Sequence, residues 1–373
     1  MKKSILIGCF FVVMAITSCA QKNDNDVKTP SEITISAELV VEGLQIPWGM
    51  VFLPDGSMLI TEKSGEMIHF KDGTKISIAN VPAVYNRGQG GLMDIELHPD
   101  YSENGWLYLS YASEEGVEKG GHTAIARAKL AGDVLTNIEV LYKATPNTTK
   151  GQHFGSRLEF DNNGYLYFTI GERGERDVNP QDITLDGGKV YRINDDGSIP
   201  QDNPFINEPG AKSAIYTYGN RNPQGMVKHP ETGAIWIHEH GPRGGDEINI
   251  VEKGANYGWP LVTYGINYSG TPITDKTEME GTVQPIHYWV PSIAPSGMTF
   301  VTSDKYPDWN GNILAGSLSF QYLERLQLDG TKVTYREKLL ENIGRVRNVR
   351  QGPDGYIYVA VEGKGIYKLV PKE

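Results

Sequence analysis

The sequence predicts an all-β chain closed into a six-bladed β-propeller. Three observations carry that expectation. A turn-plus-strand motif occurs six times, the 373-residue composition is rich in glycine (43) and tyrosine (20), and one early strand has no motif of its own. Each motif opens on Pro or Asp, reaches Gly within a few residues and continues as a strand. The copies are PDGSMLITE from Pro54, PDYSENGWLYLSYA from Pro99, DNNGYLYFTIGE from Asp161, PETGAIWIHEHG from Pro230, PDWNGNILAGSL from Pro307 and PDGYIYVAVEG from Pro353. Pro presets φ for the first turn position, and Gly accepts positive φ. The bulky residues that follow are good β-formers. Six such units imply an array of small sheets, and radial closure hides most of their edges. ITISAELVVEG (Ile33 to Gly43) has no preceding copy, so it is expected to complete the blade begun by the last repeat. Uneven spacing puts the long loops mid-chain, and loops of one propeller face are where binding groups gather. The competing architecture is a β-sandwich with six coincidental turns.

Residues 1–18 read as an export signal. MKK supplies positive charge, and ILIGCFFVVMAI is too short to span a bilayer. ITSC resembles the bacterial lipoprotein signal, in which the cysteine, here Cys19, is lipidated and becomes the first mature residue. The alternative is an ordinary secretory leader cut near Ala20. Either way the chain is expected to be exported, as a periplasmic or outer-membrane-anchored lipoprotein on the first reading. Cys9 and Cys19 are the only cysteines, so the rest of the chain has no disulfide, no cysteine nucleophile and no Cys-based metal site. Residues 19–32 are a polar tether, and 33–373 form the propeller domain. The net charge of −11 repels nucleic acid and anionic lipid. No nucleic-acid partner is expected, and membrane contact only through the lipid anchor.

Several loops carry candidate chemistry. In GQHFGSRLEFDNNGYLYFTIGE, His153 sits between glycines where its ring can take a proton, and Glu172 ends the next strand where it can fix the tautomer. Taken singly, His153 reads more readily as structural than as catalytic. In GNRNPQG, Arg221, Asn222 and Gln224 form a cation and two amides on a rigid loop, able to stabilise an oxyanion or simply to bond local carbonyls. His238 and His240 alternate and could be half a zinc site, without a third ligand nearby. GPRGGDE reads better as a loop whose outward carbonyls suit calcium, with Asp246 and Glu247 close by. Gln89 lies in a glycine turn expected to leave room for a ligand. In GRVRNVRQGPDG, Arg345 and Arg347 point to one side of an extended segment and Arg350 to the other. That makes the first two a pair with a shared anionic target and Arg350 a partner in a surface or inter-blade ion pair.

Taken in order, GQGGLMDIELHPDY, HFGSRL with TIGE, GNRNPQG, EHGPRGGDEIN, NYGWP, IAPSGM and GRVRNVRQGPDG resemble the soluble quinoprotein glucose dehydrogenase and aldose sugar dehydrogenase family over about residues 37–370. The resemblance implies a six-bladed propeller using pyrroloquinoline quinone (PQQ) and Ca2+ to oxidise the C1 hydroxyl of an aldose sugar to a lactone. His153 would remove the hydroxyl proton, with Glu172 as its carboxylate partner, while hydride passes to C5 of the quinone. Arg221 would stabilise the oxyanion formed there. Asn222, Gln224 and Ser292 would line the cofactor, with Trp289 in the stacking segment, and Gln89 would contact the substrate side. Gly241 and Pro242 would offer carbonyls to calcium, Asp246 would sit beside the reacting centre, and Arg345 and Arg347 would bind the quinone carboxylates.

Two departures stand out. Glucose-oxidising members place a lysine against the cofactor in the strand that here reads AGSLSFQYLERL, where Ser319 is the positional match and no lysine occurs. Glu172 stands where the family often has Asp. The electron acceptor is not named by any motif, since the chain has no Cys-x-x-Cys-His haem attachment. The competing functions are a calcium-dependent lactonase and a non-catalytic glycan- or protein-binding propeller.

Overall fold

A computed structural model describes residues 33–372; the signal segment, Cys19 and the tether lie outside them. β1 (Ile35–Glu42) opens the domain. Blade one is β2 (Pro47–Phe52), β3 (Met58–Glu62), β4 (Met67–Lys71) and β5 (Thr74–Ser77). Blade two is β6 (Leu92–Leu97), β7 (Trp106–Ser113), β8 (His122–Ala131) and β9 (Val134–Lys143). Blade three is β10 (Leu158–Phe160), β11 (Leu166–Ile170), β12 (Lys189–Ile193) and β13 (Ile215–Tyr218). Blade four is β14 (Pro223–Lys228), β15 (Ile235–Glu239), β16 (Asp246–Ile250) and β17 (His287–Trp289). Blade five is β18 (Pro295–Phe300), β19 (Ile313–Ser317), β20 (Leu323–Asp329) and β21 (Lys332–Leu339). Blade six is β22 (Val346–Gln351), β23 (Ile357–Val361) and β24 (Gly365–Pro371), completed by β1.

The expected closure is therefore observed: β1 pairs antiparallel with β24, from Ile35 opposite Pro371 to Glu42 opposite Gly365. This joins the two ends of the ring through backbone hydrogen bonds and removes two exposed edges.

Each sequence motif is the connection from the first to the second strand of one blade. Asp161 shows why these turns form: its Oδ1 accepts from the Asn163 and Tyr165 N–H groups at 2.8 and 2.9 Å. The strand after each turn is buried along its length, Trp106 at the start of β7 excepted, because neighbouring blades cover both its faces. Leu59 and Met67 of blade one, for example, share a core with Leu107, Leu109 and Ala126 of blade two.

The inner strands β2, β6, β10, β14, β18 and β22 surround a central axis filled on one level by the buried Arg157. Its guanidinium donates to Asp94 Oδ1 (3.0 Å) and to the carbonyls of Gln224 (2.7 Å), Arg347 (2.9 Å) and Trp48 (3.3 Å). It also lies 4.0 Å over the Trp48 ring. One side chain thus ties five blades together. Among the described residues no helix is long and apolar enough to cross a membrane.

Candidate active site

In an antiparallel meander, the connections leaving second strands and those entering first strands lie at the same end. The site residues named from sequence concentrate at that end, opposite the six motif turns. Gln89, His153, Arg221, Asn222, Ser292 and Arg345 precede inner strands, and Gln224 and Arg347 are the second residues of β14 and β22. Glu172, Gly241 and Pro242 follow second strands.

His153 adopts φ 55°, a left-handed conformation that costs a non-glycine residue energy and here points its ring into the site. Its N–H donates to Gln89 Oε1 at 2.8 Å. Its Nδ1 is hydrogen-bonded to Glu172 Oε1, on a carboxylate that is almost fully buried. An acceptor at Nδ1 assigns the ring proton to that nitrogen and leaves Nε2 free to accept one. Burial lowers the His153 pKa and the Arg221 charge adds to this, while the bond to Glu172 opposes it; the net direction is down. The ring is thus neutral near pH 7, as a base must be.

Arg173, not foreseen from sequence, staples this loop. Its buried guanidinium stacks 3.4 Å over Phe154 and donates to the carbonyls of Lys150 (2.8 Å), Gly121 (3.3 Å) and Gln152. The glycines also act differently from the expectation. A Cβ on Gly88 would sit 2.2 Å from the Gly151 carbonyl oxygen, and one on Gly171 would sit 2.4 Å from that of His153. They allow the Gln89 and His153 loops to touch their neighbours; they do not hold space open for a ligand.

Arg221 is anchored from behind. Its N–H donates to Glu239 Oε2 at 2.5 Å, and Glu239 Oε1 accepts from Asn220 at 2.8 Å. Its Nη1 donates to the carbonyls of His240 (2.9 Å) and Gly241 (3.1 Å). His153, Glu172, Arg221, Pro242, Trp259 and Tyr268 line a cavity of about 390 Å³. The long segment 251–286 reaches this cavity by pairing Asn256 with Tyr218 and by Trp259 N–H donating to Gly219 O at 2.8 Å. Arg176, from the loop after β11, donates to Asn267 of that segment at 2.9 Å.

A second cavity of about 320 Å³ is lined by Trp48, Lys63, Gln89, Gln224, His240, Arg345 and Arg347, among others. Gln89 and His240 hold His153 and Arg221 from this side, so the two cavities share a wall. Arg345 and Arg347 both reach Glu362, at 2.5 Å each. Burial raises the Glu362 pKa, but Arg347 and Arg345 outweigh it and hold the carboxyl below its usual range. The anion the two arginines share here is thus a carboxylate of the protein, where quinone carboxylates were expected. Arg350 points away and pairs with Glu96 of β6, the inter-blade one of the two kinds of ion pair expected for it. Asn222 is fully buried. Its Oδ1 accepts from Gly155 N–H at 3.0 Å, and its Nδ2 has no hydrogen-bond acceptor.

Other expectations are corrected. Asp246 lines neither cavity: its carboxylate accepts from the N–H groups of Gly241 (2.7 Å), Ile293 (2.7 Å) and Ala294 (2.9 Å) and from Ser292 Oγ (2.9 Å). Burial still raises its pKa to about 6. Asp246 thus ties the Gly241 loop to the segment 292–294, with Ser292 part of that knot, and neither residue lines either cavity. Trp289 is core, its Nε1 donating to Glu324 at 2.8 Å. Trp259 and Tyr268 are the aromatic residues that face the first cavity. His238 and His240 bond the carbonyls of Gly297 and Pro295, and no three His, Cys, Asp or Glu residues converge among the described residues.

One residue the sequence reading missed, Trp48, carried a signal. PWGM (from Pro47), PQGM (from Pro223) and PSGM (from Pro295) are one motif at the start of three inner strands. Each coincides with a register shift, and so does VRNV in β22. Such bulges re-aim side chains. The second residues include Trp48, Gln224 and Arg347, all in the second cavity.

A family model described as Glucose / Sorbosone dehydrogenase matches residues 44–368. The chain belongs to that family. It is 45% identical to aldose sugar dehydrogenase YliI of Escherichia coli over 337 residues, covering 88% of this chain and 90% of that one. The crystal structure of the soluble aldose sugar dehydrogenase from Escherichia coli in the apo-form superposes with a TM-score of 0.88 at 42% identity, covering 91% of this chain and all of that one. The PQQ-bound form of aldose sugar dehydrogenase from Streptomyces coelicolor superposes at 0.74 with 27% identity, covering 92% of this chain and all of that one.

Proposed function

We propose that the chain is a PQQ- and calcium-dependent dehydrogenase that oxidises the C1 hydroxyl of aldose sugars to lactones. The observation that carries this is a neutral, carboxylate-held histidine beside a cavity rich in cations. The second cavity suits a planar polycarboxylate. Lys63, Arg345 and Arg347 face a single carboxylate, Glu362, leaving a surplus of positive charge, and guanidinium forks match carboxylates. Names of relatives agree: one superposed structure is PQQ-bound.

His153 Nε2 takes the C1 hydroxyl proton, and Glu172 holds the opposite ring nitrogen and favours the imidazolium that results. Arg221 places positive charge beside this centre, its direction set by Glu239 and the His240 and Gly241 carbonyls. Trp259 and Tyr268 give the first cavity apolar faces for a sugar ring. The quinone, when bound, supplies the hydride acceptor. A calcium ion at Gly241 and Pro242 would rest on backbone carbonyls and ligand oxygens. The Gly241 carbonyl now accepts from Arg221, so metal binding there would have to share or displace that bond.

The test is reconstitution: purified chain, PQQ, calcium, an aldose panel and a dye acceptor. Dye reduction that needs both additions supports the reading; none over the whole panel refutes it. We also propose export with lipid on Cys19. Incorporation of a labelled fatty acid in the parent and its loss in Cys19→Ala would support this; an unlabelled parent would refute it.

A further inference from the structure

Lys63 sits in the connection from β3 to β4, a part of the chain to which no motif drew attention. Its side chain nonetheless lines the second cavity opposite β22. The ammonium donates to Asn86 Oδ1 at 2.8 Å and to the Gly90 carbonyl at 3.2 Å. Both acceptors are neutral, and the one carboxylate in the cavity, Glu362, is already engaged by Arg345 and Arg347. Lys63 is therefore a half-buried cation without a carboxylate of its own. Burial is the main cause that lowers its pKa; the neighbouring Arg347 lowers it further, and Glu362 opposes both without offsetting them. An anion entering the cavity would relieve that.

Across the cavity, Leu318 is part of the lining but Ser319 is not. Ser319 is exposed, and its N–H donates to Ile293 O at 3.1 Å. Blade five thus offers no cation here, and blade one does.

We propose that Lys63 is a carboxylate-binding residue of the quinone site, giving the cavity its third cation from blade one in place of one from blade five. The proposal rests on the functional reading above. With three cations against one internal carboxylate, the cavity is matched to a ligand carrying at least two carboxylates. The contacts to Asn86 and Gly90 hold the ammonium at the cavity wall before the ligand arrives, so little side-chain entropy is lost on binding.

The test is equilibrium binding of PQQ to the full mature chain, read by quenching of intrinsic fluorescence and needing no turnover. Lys63→Ala is expected to weaken binding about 10- to 100-fold, the range for a lost hydrogen bond between charged groups. Lys63→Arg is expected to stay within about threefold of the parent. Asn86→Ala removes one of the two ties but keeps the charge and the Gly90 bond, and is expected to weaken binding by no more than about threefold, well short of Lys63→Ala. Circular dichroism spectra and melting temperatures of the unloaded variants check that each is folded. A tightly binding parent with an equally tight Lys63→Ala overturns this inference alone. Loss of binding in Asn86→Ala equal to that in Lys63→Ala also overturns it, because loop support would then explain the effect. A parent that does not bind PQQ overturns the inference together with the functional reading.

Discussion

The two faces of the propeller were built by different rules. On one face lie six turns, each built within a few residues from Pro or Asp and a following Gly. On the other lie the connections that bring His153, Glu172, Arg221, Lys63, Arg345 and Arg347 together from four blades. The turn face is local chemistry repeated six times. The site face is non-local: Gln89 meets His153 across 64 positions, and Arg347 meets Gln224 across 123. A turn can therefore be altered at the cost of its own strain, whereas a change on the site face propagates through loops that support one another.

Substitutions on the two faces sharpen this contrast. The largest effect is expected at His153. His153→Gln should lower turnover by about 10²- to 10⁴-fold, the usual worth of a general base, and leave quinone binding intact; steady-state kinetics beside a binding titration checks both. Next is the double change Arg345→Ala with Arg347→Ala. It should weaken quinone binding by at least about 100-fold, at roughly tenfold or more for each lost charged hydrogen bond. Arg350→Ala should leave affinity unchanged, because its partner Glu96 lies away from the cavity. Equal losses from the two variants would dissolve the distinction between the arginines.

Two glycines test the faces directly. Gly164 is in a motif turn at φ 80° with open space around its Cβ position. Gly164→Ala should cost about 1 kcal/mol of stability, read from denaturant unfolding, and spare activity. Gly88→Ala meets the Gly151 backbone and should displace the Gln89 and His153 loops, lowering turnover more than stability. The smallest effect is in pH. The His153 pKa lies below 6.5, so protonation removes the base only at lower pH. The acid limb of turnover should therefore fall below pH 6.5, and a limb centred above that value would contradict the neutral, buried imidazole.

The turn face was legible because its cause is local. So was the closure by β1, since a strand without a turn in front has one remaining place in a ring. The pairing of His153 with Glu172 and the divergence of Arg350 from Arg345 and Arg347 were also legible from spacing. Asp246 and Ser292 were placed in the site but belong to a supporting knot. Residue type alone does not distinguish a carboxylate that faces a ligand from one saturated by three backbone N–H groups and a hydroxyl. Arg157, Arg173, Glu239 and Lys63 went unnoticed because each acts on partners far off in the chain. The PxGM motif was the one local trace of the inner-strand bulges.

The central claim is that the site face is a quinone-dependent sugar oxidation centre built on His153. Its most direct test is one titration of the purified chain with PQQ, with and without calcium, in which quinone absorbance and aldose-dependent dye reduction are followed together. The account expects saturable spectral change in both the parent and His153→Gln, with dye reduction in the parent alone. Dye reduction undiminished in His153→Gln, or a parent that neither binds the quinone nor reduces the dye, would contradict it.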